Sequence, residues 1–175
     1  SDGAELAGEA LALVDELRAA GVRVKLDGRD DVAFGRRSTD HELRGIPVRV
    51  EIGPRDLAEG NVTVARRDTG DKTSVALRGA ADTVVDALTA AQAALLAQAK
   101  ARLETNTTNV TSIEDAIEVA KTGFAQMPGA LADTAGEDAI NAASMSVRCL
   151  RRPDGSLPEP SDNLADLTAI VARAY

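Results

Sequence analysis

Arginine and glutamate alternate along "GIPVRVEIGPRDLAEG", residues 45–60. In an extended chain Arg49 and Glu51 fall on one side, and Val48, Val50 and Ile52 on the other. Arg55 and Asp56 follow directly after Gly53 and Pro54. Guanidinium and carboxylate groups at this spacing form charge-assisted hydrogen bonds. Such groups do one of two things. They pair with each other on a solvated surface, or they recognise a ligand that offers donors and acceptors together. Alternation alone leaves both readings open.

Bond-making chemistry has less support. The chain has no G-x-G-x-x-G, P-loop, G-x-S-x-G or H-E-x-x-H pattern. His41 is the only imidazole, so no two-histidine site can form. Cys149 is the only cysteine, which excludes an internal disulfide and an all-cysteine metal site and agrees with a reducing, cytoplasmic setting. Its place in "MSVRCLR", beside Arg148, predicts a buried structural thiol. Three N-x-T triplets, at Asn61, Asn106 and Asn109, occur without any secretory signal and are read as chance.

Net charge is −8, which argues against non-specific nucleic-acid binding. The charge is uneven. Residues 22–78 hold 12 Lys/Arg against 10 Asp/Glu, and the remainder holds 8 against 18. The basic segment is either a small, selective polyanion site or uneven placement. Only three residues are aromatic, so Ala, Val and Leu must fill the core, which favours helices packed on a sheet. No uninterrupted apolar run reaches about 18 residues, so no membrane contact is expected. The acidic N-terminus does not read as a signal peptide.

The elements that must position these groups follow from periodicity. Residues 4–20 predict an amphipathic helix stopped at Gly21. "VRVKLD" (22–27) predicts a strand, 28–35 a polar turn and 36–45 a short helix. Strands are predicted at 48–53, 61–68 and 72–78, the last two joined as a hairpin through "TGD", with Arg55–Asp56 in the turn after the first. An alanine-rich helix spans about 80–104. This order gives an α/β fold with a mixed sheet flanked by helices. A helix feeding a strand normally crosses over from an earlier strand, so a first strand upstream of Ser1 is expected to be missing. Residues 104–112 read as a polar linker into a small α+β domain, giving domains 1–104 and 105–175. In that second domain Ser112 and Asp115 form a capping pair, "FAQMP", "MSVRCLR" and "LTAIVARAY" are strands, and 152–163 is a loop.

The stretch "DGRDDVAFGRRSTDHELRGIPVRVEIGPRD" (27–56), with "RRDTGDK" after it, closely resembles the anticodon-binding domain of class II aminoacyl-tRNA synthetases. Its pattern is similar to that of prolyl-tRNA synthetases of the archaeal/eukaryotic type. "IEDAIEVAKTGFAQMP", "EDAINAASMSVRCL" and the final "VARAY" resemble that family's C-terminal extension, so the likeness covers essentially the whole chain. There are departures. Arg37, Ser38 and His41 stand where the family has Lys, Phe and Trp. The family's zinc-binding cysteines are absent from "MPGALADTAGED" and "PSDNLADL", so no zinc is expected and the loop must hold itself by packing.

The resemblance implies a function: recognition of the tRNA-Pro anticodon as the C-terminal part of a proline–tRNA ligase. The catalytic domain, which uses ATP and Mg²⁺, lies upstream, and this chain would be inactive alone. A full-length homodimer is implied. The guanines of the proline anticodon would fall to Glu42, Arg49, Arg55, Asp56 and Lys72. Glu42 and Asp56 would accept from the guanine N1–H and N2–H₂; Arg49, Arg55 and Lys72 would donate to O6, N7 or phosphate. Arg29, Phe34, Arg36 and Arg37 are secondary candidates, and Tyr175 is implied to approach the catalytic domain. The alternative is a non-catalytic regulatory or interaction protein that reuses the fold. A small-molecule-binding α/β domain is disfavoured by the lack of a phosphate-cradling glycine loop.

Overall fold

A computed structural model of the chain describes residues 2–174. Tyr175, and with it the expectation placed on it, lies outside the described residues. The chain forms two compact units, one ending at Ala97 and the other beginning at Gln98.

The first unit begins with helix α1 (Asp2–Ala19), which places Leu13 and Leu17 in the core. Helix α2 (Phe34–Leu43), strand β1 (Val48–Glu51), the short helix α3 (Pro54–Ala58) and strands β2 (Asn61–Arg66) and β3 (Lys72–Ala76) follow. Helix α4 (Ala80–Thr105) begins in this unit and ends in the next. The sheet is antiparallel in the order β1-β2-β3. Its register sorts the side chains. Val48, Val50, Val62, Val64 and Val75 pack with Leu13, Leu17, Ala80 and Val84. Arg49 pairs with Ala65, and Ala65 with Lys72, so these three form one row on the opposite face. Glu51, Thr63 and Ser74 form the next row.

Two expectations are corrected here. Residues 22–27 form no strand among the described residues: Val22 and Val24 pack on the core, but no neighbouring strand supplies ladder hydrogen bonds. Residues 54–58 are a helical turn rather than a β-turn, because Pro54 suits the first helical position and Gly53 holds an extended N-cap. The alanine-rich α4 is long and apolar enough to cross a membrane by composition alone, with a mean hydropathy of 1.2. Its alanines raise that mean across scattered charges. Ala80, Ala81, Val84 and Ala91 are nonetheless buried within the protein.

The second unit contains strand β4 (Thr107–Asn109), helix α5 (Ile113–Ala120), strand β5 (Phe124–Pro128), helix α6 (Thr134–Ala142) and strands β6 (Met145–Arg151) and β7 (Thr168–Arg173). The sheet order is β4-β5-β7-β6, with β4 parallel to β5 and the other pairs antiparallel. The presumed linker therefore contains a strand. Its Thr and Asn side chains carry no apolar alternation, and only pairing with the distant β5 makes it one. Ser112 caps α5 by accepting from the Asp115 amide at 3.1 Å, and Asp133 caps α6 by accepting from Gly136 at 2.8 Å. Met127, Ile140 and Val171 are almost fully buried in the core. Cys149 is half-buried rather than buried, next to a bulge between Val147 and Cys149. The loop at 152–163 is held by polar contacts rather than by packing. Arg152 donates to Asp162 at 2.8 Å and reaches Glu159 at 3.5 Å, while Leu157 stays exposed.

Backbone crowding makes a stability prediction. A Cβ at Gly129 would lie 2.3 Å from the Leu164 carbonyl oxygen. Gly129→Ala is expected to cost about 2 kcal/mol and lower the midpoint of thermal unfolding by on the order of 10 °C. Gly8 lies in α1 with nothing within 4 Å of such a Cβ. Gly8→Ala should raise stability by up to about 1 kcal/mol. Calorimetry on both variants checks the contrast.

Candidate functional site

Glu51 is the centre of the polar face of the first sheet. Its carboxylate accepts from Arg49 Nε at 2.9 Å and from Lys72 Nζ at 2.9 Å to each oxygen. Arg49 Nη1 continues to Glu42 Oε1 of α2 at 3.2 Å. Within their shared row Ala65 separates Arg49 from Lys72 with only a methyl group, which leaves room for both cations to converge on Glu51 across β2. Exposure is graded: the Glu51 and Arg49 side chains are 14% and 17% exposed, Lys72 and Glu42 50% and 52%. The shielded pair is held, and the outer members face solvent. Lys72 Nζ also stands 5.7 Å from the centroid of the exposed Phe34 ring, a cation–π distance.

A second cluster fixes α2 to the loop before it. Asp27 accepts from Arg29 Nε at 2.9 Å and Nη2 at 2.8 Å, and pairs with His41 Nε2 at 2.7 Å. Arg29 also reaches Asp40 at 3.3 Å, and Arg37 donates to the Asp27 carbonyl oxygen at 3.1 Å. The Arg29 guanidinium, followed by His41, holds the Asp27 carboxyl far below the usual carboxylate range, against the opposing effect of burial. The Arg29 pKa is raised in turn by Asp27. Arg37 Nε is buried without a partner among the described residues. Behind α2, Arg67 Nε donates to the Glu42 carbonyl oxygen at 3.0 Å and ties the helix end to the hairpin.

The structure thus joins four of the anticipated residues, Glu42, Arg49, Lys72 and Phe34, through Glu51. The Arg49–Glu51 ion pair anticipated as the alternative to ligand recognition is also present. Arg55 is exposed and Asp56 half-buried, both on α3, and no ion pair among the described residues links either to Glu51. Arg29 and Arg37 belong to the Asp27 cluster, and Arg36 is exposed in the first turn of α2. The alternation singles out Glu51 as a charge beside Arg49 but not as the hub, and nothing in the sequence singles out the Asp27–His41 pair. The spacing of Glu51 two residues from Arg49 was a usable signal. Fourteen residues separate Asp27 from His41, and no local pattern marks that contact.

Carboxylates and cations interleaved beside an aromatic ring suit a ligand with paired donors and acceptors, as a nucleobase edge presents. Among the described residues no three His, Cys, Asp or Glu side chains are grouped to hold a metal.

Known proteins are similar to this chain. Residues 1–87 match the family model described as the anticodon binding domain. The chain is 48% identical over 166 residues to a proline–tRNA ligase of Frankia alni, covering 95% of this chain and 35% of that protein. It is 48% identical over 162 residues to proline–tRNA ligase 2 of Streptomyces avermitilis, covering 92% and 34%. It is 39% identical over 107 residues to a proline–tRNA ligase of Methanothermobacter thermautotrophicus, covering 61% and 22%. The chain spans about a third of the length of the first two relatives.

The Asp27 cluster makes a pH prediction. A carboxyl whose folded pKa is depressed stabilises the fold above its unfolded pKa, about 3.9. That contribution is lost as pH falls below this value, because the unfolded chain binds the proton more readily. The urea midpoint should therefore fall from pH 5 towards pH 2, and Asp27→Asn should make that acid limb shallower. An unchanged limb in the variant would remove Asp27 from the account.

Proposed function

We propose, for a chain that belongs to the anticodon-binding domain family, that it recognises the anticodon loop of tRNA-Pro as the C-terminal part of a proline–tRNA ligase of the archaeal/eukaryotic type. The observation that carries this reading is the Glu51-centred face, where carboxylates and cations alternate beside Phe34. Proline anticodons share two guanines. In the Watson–Crick edge of guanine, N1–H and N2–H₂ donate beside the O6 acceptor.

Glu42 and Asp56 are the proposed acceptors for those donors. Arg49, Arg55 and Lys72 are the proposed donors to O6, N7 or phosphate. Arg29, Phe34, Arg36 and Arg37 are secondary contacts. Glu51 accepts three hydrogen bonds from Arg49 and Lys72, so its proposed part is to hold both cations on one face.

In the longer protein this reading requires, an upstream class II catalytic domain attaches proline to tRNA-Pro with ATP and Mg²⁺, and the protein is a cytoplasmic homodimer. This chain's residues do not fit either group: it has no glycine-rich phosphate loop, and no step of that chemistry is assigned to them. The domains are assigned as 1–104 for anticodon recognition and 105–175 for the C-terminal extension, within which Tyr175 is proposed to approach the catalytic domain.

Asp56→Ala and Arg55→Ala test the assignment. Each should weaken binding of tRNA-Pro by about 1–3 kcal/mol and reduce its preference over a transcript with both guanines changed to adenine. Variants that bind both transcripts as the parent does would show that α3 reads no base.

A further inference from the structure

The second unit contains an open groove of about 780 Å³ with an unusual lining. Arg102 and Leu103, from the last turns of α4, form one wall. Lys121 lies in the turn between α5 and β5, and Phe124 is the first residue of β5. Arg148 and Arg173 contribute from β6 and β7.

The charge is one-sided. Residues 98–175 hold 7 Lys/Arg against 11 Asp/Glu. Four of those cations line this groove, and among the described residues no Asp or Glu does. Lys121 pairs with Glu118, which is not part of the lining and is itself 73% exposed, so water competes with that pair. Among the described residues neither Arg102 nor Arg173 has a carboxylate within ion-pair distance, and the Arg148 guanidinium donates to the Arg173 carbonyl oxygen.

The floor is rigid. The Phe124 amide donates to the Asn106 carbonyl oxygen at 2.8 Å, and a Cβ at Gly123 would lie 2.6 Å from that same oxygen. The turn bearing Lys121 is thus seated directly on the start of β4. Phe124 remains 36% exposed beside it.

We propose that this groove is a second RNA-binding site, which takes a sugar–phosphate segment on its cations and an unpaired base on the Phe124 ring. Convergent cations with one exposed aromatic ring are the composition of surfaces that hold single-stranded nucleic acid, and an open trough admits a through-running chain where an enclosed pocket would admit only a small ligand. Phosphate contacts and stacking of this kind carry affinity without base discrimination. The inference rests on the RNA-binding reading of the chain but assigns it residues of the other unit.

The test is the salt dependence of binding, measured by fluorescence anisotropy on the whole chain. The probes are a tRNA-Pro transcript and the same transcript with its two anticodon guanines changed to adenine. Each phosphate contact contributes about 0.7–0.9 to the slope of log K against log salt concentration. Arg102→Ala/Lys121→Ala should lower the slope by about 1.5 for both transcripts and leave their affinity ratio at the parent's value. Arg102→Lys/Lys121→Arg should restore the parent slope, which separates charge from folding defects. A double alanine variant with the parent's slope would overturn the groove and leave the anticodon reading intact. A parent that binds both transcripts alike contradicts the anticodon reading and not the groove. A parent that binds neither overturns the groove as well.

Discussion

One carboxylate organises the polar face of the first sheet. Glu51 accepts from both Arg49 and Lys72, two cations that the antiparallel register places in a single row with only Ala65 between them. Without Glu51 these charges would repel across a narrow gap, and each long side chain would sample many rotamers. With it they are held, and Arg49 reaches on to Glu42 and so joins α2 to the sheet. Because the pairs are partly solvated, their net stabilisation is modest. Their larger effect is to fix the directions in which the remaining N–H and carboxylate groups point. A base edge can be recognised only by groups already positioned for it.

The rest of the first unit supports that arrangement from two sides. From below, five valines of β1, β2 and β3 pack against α1 and the start of α4, which fixes the strand register and therefore which residues face outward. From the side, the Asp27 cluster holds α2 through Arg37, Asp40 and His41, and Arg67 holds its last turn through the Glu42 carbonyl, with Glu42 and Phe34 at the edge of the face. The two clusters act at different levels. Asp27 stabilises the fold, and Glu51 aims groups at solvent.

Local chemistry was legible in the sequence where it was self-contained. Strict alternation in 48–51, the "TGD" hairpin and the Ser112 cap all depend on neighbours a few residues away, and each forms as the pattern indicates. What failed depended on distant partners. Residues 22–27 alternate like a strand yet have no ladder neighbour among the described residues, whereas Thr107–Asn109 lack alternation and become a strand through β5. The same holds for the site. Arg49 and Glu51 are visible as a two-residue spacing, but Lys72 joins them across 21 positions and His41 joins Asp27 across 14. The loop at 152–163 shows the limit in another way. That it contains no cysteine is plain in the sequence, but the Arg152–Asp162 clasp that holds it becomes visible only in the fold.

The central claim is that the face around Glu51 is where an anticodon guanine is held. The most direct measurement is a titration of the ¹⁵N-labelled chain with the anticodon stem-loop of tRNA-Pro, followed through backbone amide and arginine Nε resonances. The account predicts saturable shifts at Arg49, Glu51, Ala65 and Lys72, together with α2 around Glu42, that are absent when both guanines are replaced by adenine. Shifts that leave these residues untouched, or that persist unchanged with the adenine stem-loop, would contradict it.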